Sequence, residues 1–299
     1  MLPIVEQYIA LKRPNTRRSY IAVFGQFAAS IGGWDNLKAA TPADCIAYLA
    51  KLKETRAPNT IMQRFQALRG FYEFLADLGE IEKNPWRAAA RALSFRQKGQ
   101  VRPTALIEYD LIPSILASFD HTREGVRNAA IFALLFGLGL RRSELLGLDI
   151  DDIKTAPDGT PVAAIRNTKG GENRLQVIPP WVMEYVLPLV LQRLLQKTGT
   201  LVCSYSASGE VLGSMSEKTL YRLYRATLKK FGISAAPHSA RATFASKLKS
   251  QSFEDRDVAE ALGHKALGMV KVYDKRGRKL SECVALRINY STKKRVANA

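Results

Sequence analysis

Between residues 91 and 104 the chain reads RALSFRQKGQVRPT, and this stretch limits the fold more than any other. It is basic, carries Gly and Pro, and shows no sustained apolar period, which is the composition of a linker. On both sides of it apolar residues recur at helical or strand spacing. A chain of 299 residues interrupted in this way is expected to fold as two units with separate cores. Hydrophobic residues make up 46% of the chain, enough for both cores and too many for a disordered protein. The expected division is a first domain over 1–92, a basic linker over 93–104 and a second domain over 105–299.

The first domain reads as all-helical. Asn15 and Thr16 are placed to open a helix through RRSYIAVFGQFAASI, with Gly32 and Gly33 as its stop. Thr41-Pro42 has the cap-then-proline form and leads into ADCIAYLAKLKE. Asn59 and Thr60 precede the strongest pattern, in which Ile61, Phe65, Leu68, Phe71, Tyr72, Leu75 and Leu78 form one stripe. Arg64 and Arg69 fall off that stripe. They either face a phosphate backbone or belong to an ordinary solvated face. Asn84-Pro85 closes the pattern, and Arg96 and Lys98 in the linker are candidates for the same backbone contact.

The second domain mixes helices with a small sheet. Helical patterns occupy 106–119 and 122–138. Short strand-like pieces follow near 148–153, 162–167 and 174–178, the last two joined by the turn TKGGEN. Helices return over 180–197, 216–230, 238–250 and 255–262 and around Tyr273. The fold class is therefore mainly α, with an all-helical first domain and an α+β second domain built on a three-stranded sheet.

The formal net charge is +18 and the isoelectric point about 9.9, a surplus that points to a polyanionic partner. Cys45, Cys203 and Cys283 are far apart and share no ligand spacing with the histidines, so neither a zinc site nor a disulfide framework is expected, and no cofactor. The cysteine usage suits a reducing cytoplasm. The N-terminal stretch does not read as a signal peptide. The most apolar run, AAIFALLFGLGL at 129–140, is too short to span a bilayer and is followed at once by Arg141 and Arg142. It reads as a buried core helix, and no membrane partner is expected.

Four separated clusters carry chemistry. In GLGLRRSELLGL, Arg141 follows a glycine-containing bend, Ser143 can cap a new helix, and Glu144 lies close enough to hold the arginine. In NTKGGENR, Lys169 rides on a hairpin turn. In PHSARATFASKL, His238 and Arg241 are three apart and share a helix face. In ALGHKALGMVKVYDK, Gly263 can break a helix just before His264, and Tyr273 follows nine residues later. Each cluster alone fits an ordinary structural role.

In this order the clusters resemble the tyrosine recombinase (phage integrase) family. GLRRSELLGL is similar to its first arginine motif, PHSARATFAS to its His-x-x-Arg box and LGHKALGMVKVY to its terminal box. NTIMQRFQALRGFYEFLADLGEIEKNP is similar to its SAM-like core-binding domain, so the resemblance covers nearly the whole chain. It departs from the family at Ala242, where His is frequent, at Met269 and Val270, where hydroxyl residues are frequent, and at Lys275. None of these touches the catalytic set.

The resemblance implies a site-specific recombinase that cuts and rejoins DNA without metal or ATP. Tyr273 would be the nucleophile, giving a 3′-phosphotyrosyl link and a free 5′-hydroxyl. Arg141, Arg241 and His264 would hold the non-bridging oxygens, where charge gathers in the transition state. His238 would take the phenol proton, Lys169 would protonate the leaving 5′-oxygen, and Glu144 would support them. The family implies double-stranded DNA sites as partners and a homotetramer on two duplexes. A C-terminal segment exchanged between protomers would link it, with an accessory protein or paralogous recombinase as a further partner. No N-terminal arm-binding domain is expected. Localisation would be cytoplasmic, nucleoid-associated when DNA is bound. Two other readings share these residues: a type IB topoisomerase-like relaxing enzyme, and a non-catalytic DNA-binding regulator.

Overall fold

The computed structural model describes residues 2–92, 104–166, 173–194, 199–263, 284–288 and 290. The chain divides into two compact units, Met1–Arg102 and Pro103–Ala299, with the boundary inside the basic stretch that interrupts the sequence pattern.

The described part of the first unit is helical: α1 (Pro3–Ala10), α2 (Pro14–Ser30), a 3-10 turn (Trp34–Leu37), α3 (Pro42–Thr55), α4 (Pro58–Asp77) and α5 (Pro85–Ala92). All five helices begin on a proline. Proline has no N–H to lose there, and its fixed φ is already helical. This moves the starts of α2 and α4 upstream of the expected Asn15 and Asn59, because Pro14 and Pro58 take the first helical position. The expected cap at Thr41 is present. Its Oγ1 accepts from the Asp44 backbone N–H at 3.2 Å, and Asp44 Oδ2 accepts from the Thr41 N–H at 2.8 Å.

Aromatic side chains fill this core. Trp86 on α5 is fully buried and meets Phe27 edge-on, with ring centres 5.0 Å apart. Asn84 sets the entry of α5, donating to the Arg69 carbonyl at 3.0 Å and accepting from the Trp86 N–H at 2.9 Å. Asn84-Pro85 therefore opens one more helix where the sequence pattern suggested an end.

The second unit contains α6 (Leu111–Ala117), α7 (Arg123–Leu138), α8 (Arg142–Leu146), β1 (Ile153–Thr155), β2 (Pro161–Ile165), β3 (Arg174–Val177) and α9 (Pro180–Leu194). It continues with β4 (Cys203–Tyr205), β5 (Val211–Ser214), α10 (Glu217–Lys229), α11 (His238–Ser250), α12 (Asp255–Leu262) and a 3-10 turn (Val284–Arg287). Helix α7 is the hub, buried continuously from Ala129 to Leu138 as its apolar run requires. Helix α9 crosses it closely at Gly137, where a Cβ would lie 2.2 Å from Val182 Cγ2.

The sheet is antiparallel in the order β1-β2-β3, and its last described pair is Ile165 with Arg174. The first strand begins at Ile153, later than expected, because a 3-10 turn takes Ile150–Asp152. A second sheet, the β4–β5 hairpin, was not expected from the sequence. The expected helix over 106–119 is also shorter, since α6 begins at Leu111. The segment before it is held instead by α11: the Ile107 N–H donates to Thr243 Oγ1 at 2.9 Å, and the Tyr109 hydroxyl bonds Ser246 Oγ at 3.0 Å.

The described C-terminal residues pack on their own unit. Ile288 and Tyr290 are buried, the Ile288 carbonyl accepts from Trp181 Nε1 at 2.7 Å, and the Tyr290 hydroxyl donates to the Phe136 carbonyl at 2.9 Å. Among the described residues no helix is long and apolar enough to cross a membrane.

Candidate active site

Helix α7 stops at Gly139, whose φ of +62° is left-handed. A Cβ there would also lie 2.7 Å from the Phe244 ring, so both backbone and packing favour glycine. The turn sends the chain into Leu140, which is buried, and then into Arg141, which stands in extended conformation as the N-cap of α8. Ser143 lies inside α8 and is not the cap. The orphan N–H at the helix start, that of Arg141, is answered by Glu144 Oε2 at 2.9 Å.

Glu144 is 2% exposed, and three arginines are arranged around it. Oε1 accepts from Arg141 Nη1 at 2.5 Å. Arg174, the first residue of β3, supplies a parallel fork, with Nη1 to Oε1 at 3.2 Å and Nη2 to Oε2 at 3.3 Å. Arg241, on the first turn of α11, brings Nη1 to 4.0 Å from Oε2. Burial alone would raise the Glu144 carboxyl, but the bonds from Arg174 and Arg141 outweigh it and hold the pKa at about 2. Three guanidiniums thus share one carboxylate, and the cluster keeps an excess of positive charge.

Arg241 is nearly buried. Its Nη1 donates to the Gly139 carbonyl and its Nη2 to the Leu262 carbonyl, each at 2.6 Å. Burial, and next the nearby Arg141 charge, lower its pKa to about 10, still well above neutral pH. Arg141 is less committed. Among the described residues its Nε and Nη2 have no hydrogen-bond partner, and its side chain is 25% exposed.

His238 opens α11 three residues before Arg241, so both lie on one face. Partial burial and then the charges of Arg241 and Arg141 lower its pKa. Each of these effects favours the neutral imidazole, the form that can accept a proton. Helix α12 ends at Gly263, again at φ +62°, directly before His264 in the sequence. Lys169, His264 and Tyr273 lie outside the described residues, as do Arg96 and Lys98.

The β2–β3 connection that carries Lys169 in sequence is held at its other foot too. Arg166, just after β2, donates from Nη2 to Asp149 Oδ2 and to Asp152 Oδ2, each at 2.6 Å. In the first unit, Arg64 donates to Gln26 Oε1 and to the Tyr48 hydroxyl, and Arg69 pairs with Glu73 at 3.1 Å. Both arginines are engaged within their own unit.

The sequence brought forward Arg141, Glu144, His238 and Arg241, and the fold brings these four together. It did not single out Arg174. The stretch NTKGGENR contains this residue, but its partner Glu144 lies 30 positions away and no local spacing links them. Among the described residues there is no cluster of three His, Cys, Asp or Glu placed to hold a metal.

Residues 106–278 match the phage integrase family. Tyrosine recombinase XerD of Lacticaseibacillus casei is 28% identical over 235 residues, covering 76% of this chain and 75% of that protein. Tyrosine recombinase XerA of Pyrococcus furiosus is 28% identical over 268 residues, covering 88% of this chain and 84% of that one. Among solved structures, the Tn1549 transposon integrase in complex with circular intermediate DNA superposes with a TM-score of 0.65 at 18% identity, over 92% of this chain and 95% of that one. A lambda integrase dimer bound to a COC′ core site gives 0.64 at 19% identity, over 92% and 77%.

Proposed function

The chain belongs to the phage integrase family, and on that premise we propose a site-specific DNA recombinase in which Tyr273 attacks a phosphodiester held by Arg141 and Arg241. The phenol oxygen bonds to phosphorus as the 5′-oxygen leaves, giving a 3′-phosphotyrosyl link and a free 5′-hydroxyl. Lys169 gives the leaving oxygen its proton. His238 takes the proton of the phenol, and His264 adds a donor to the phosphate. The link conserves the phosphodiester energy, so the 5′-hydroxyl of a second strand reverses the step without nucleotide or metal.

The observation that carries this reading is the convergence on Glu144. Arg141 and Arg241 come from distant parts of the chain and meet at one buried carboxylate, with His238 on the same helix face as Arg241. Donors fixed in place before substrate arrives stabilise transition-state charge without reorganising, and loss of one typically slows a reaction about 10²–10³-fold. The named relatives are recombinases, which favours strand exchange over sequence-indifferent relaxation.

The partner is double-stranded DNA carrying paired sites, bound by four protomers on two duplexes, in the cytoplasm and on the nucleoid. Ile288 and Tyr290 belong to the core of their own unit, so any segment exchanged between protomers is assigned to residues after 290.

The test is covalent capture. Full-length protein is incubated with a library of nicked duplexes whose central bases are randomised, and adducts are recovered under denaturing conditions and sequenced. The expected outcome is an adduct that converges on one sequence and vanishes in Tyr273→Phe. An adduct that persists in Tyr273→Phe overturns the nucleophile. Adducts of every sequence, with relaxation of any plasmid, support the topoisomerase reading. Tight binding with no adduct supports the regulator.

A further inference from the structure

A buried carboxylate is costly unless its charge and its lone pairs are matched. Glu144 has two side-chain oxygens, and each accepts two hydrogen bonds. One on each comes from Arg141, through Nη1 and through the backbone N–H. The second on each comes from Arg174, through its paired Nη atoms. Arg241 does not serve in its place: its Nη1 stands 4.0 Å from Oε2, beyond hydrogen-bond reach, while Nη1 and Nη2 are held by the Gly139 and Leu262 carbonyls.

We propose that Arg174 is a positioning residue for strand cleavage: its fork satisfies Glu144, and Glu144 can then fix Arg141 through one side-chain nitrogen while the rest of that guanidinium stays available to the phosphate. The proposal rests on the reading of Arg141 and Arg241 as the phosphate clamp.

Packing supports this assignment. A Cβ on Gly263 would lie 2.7 Å from Arg174 Cζ and Nε, so the guanidinium lies directly against the glycine that ends α12. Arg174 thus touches the carboxylate that orders Arg141 and the turn that precedes His264. It is 15% exposed and its Nε points to Gln176 Oε1 at 3.5 Å, so it is anchored on β3 and does not sweep through solvent. Without Arg174, Glu144 would keep its burial and lose two of its four bonds. Arg141 would then be drawn further onto the carboxylate to replace them. A lysine keeps the charge but has no planar fork and cannot reproduce both bonds.

The test uses full-length protein and the duplex recovered from the randomised library. Dissociation constants and single-turnover cleavage rates are measured for Arg174→Gln, Arg174→Lys, Glu144→Gln and the double variant Arg174→Gln/Glu144→Gln. Arg174→Gln is expected to slow cleavage about 10–100-fold while DNA binding changes less than about threefold. Adding Glu144→Gln to it should cost less than about threefold more, because both residues act through one arrangement. Fully additive losses would show that Arg174 acts independently of Glu144 and overturn the proposal. So would a wild-type cleavage rate in both Arg174 variants. Should Arg174→Gln fail to fold, as judged by melting, the same cycle is run with Arg174→Lys. Arg141→Gln and Arg241→Gln are measured alongside. If those two cleave normally the clamp itself is wrong; if they are inactive and the Arg174 variants are not, only this proposal fails.

Discussion

Two carboxylate anchors lie within eleven residues of Arg141, and they bind the arginines at opposite feet of the same β2–β3 connection by different means. Glu144 binds Arg174 at the β3 foot with its own side chain fully covered and that of its arginine 15% exposed. Asp149 and Asp152 bind Arg166 at the β2 foot, and there the arginine is 44% exposed. The distances are no longer at the exposed anchor. Distance therefore does not rank the two; solvent does. Water reaches the Arg166 guanidinium and Asp149 and screens that pair, leaving only Asp152 covered, while the Glu144 carboxylate and its Arg174 fork are both shielded.

Removing the buried anchor should produce the largest effect. Glu144→Ala leaves crowded guanidiniums without their counter-charge and should cost about 3–5 kcal/mol of stability, read by denaturant unfolding. A loss no larger than that of a surface variant would put the two anchors on equal footing.

Acid should come next. The Glu144 pKa is depressed to about 2 in the folded protein, so its contribution is complete above the unfolded carboxylate range. It is lost as pH falls from about 4.5 towards about 2, and amounts to on the order of 3 kcal/mol. Glu144→Gln has no such proton to take up. Its stability should fall less steeply than that of the wild type across that window, as followed by melting temperature against pH. Parallel curves would mean that Glu144 does not carry the acid sensitivity.

The smallest effect is expected at the exposed anchor. Arg166→Ala should destabilise less than Glu144→Ala, because Asp149 turns to water and only the covered Asp152 loses a partner, and should slow cleavage less than Arg174→Gln does. A larger loss from Arg166 than from Arg174 would reverse the ranking of the two feet.

The same contrast explains what the sequence discloses. Helices with a single apolar stripe, such as α4, and helices closed by local chemistry, such as α3 behind Thr41 and α12 before Gly263, are legible because cause and effect lie within one or two turns. Glu144 as a support for Arg141 is legible for the same reason, being three residues away. The β4–β5 hairpin was missed because LVCSY and EVLGS are short and lack a strong alternation. The start of α6 was misplaced because residues 107 and 109 take their hydrogen bonds from α11, more than 130 positions away. Arg174 escaped for the reason that makes it important: its bond to Glu144 exists only once the sheet has brought β3 to α8.

Arg241 carries a consequence for time. Its two anchoring carbonyls belong to Gly139, 102 residues earlier, and Leu262, 21 residues later. A ribosome adding about 5–20 residues per second needs roughly 5–20 s to travel from the first carbonyl to the arginine. Throughout that interval the nascent chain carries Arg141 and then Arg174 but not Arg241, whose second anchoring carbonyl follows only at the end of α12. On the proposed reading the phosphate clamp is complete only then, so that competence to break DNA arrives only with the nearly finished protein.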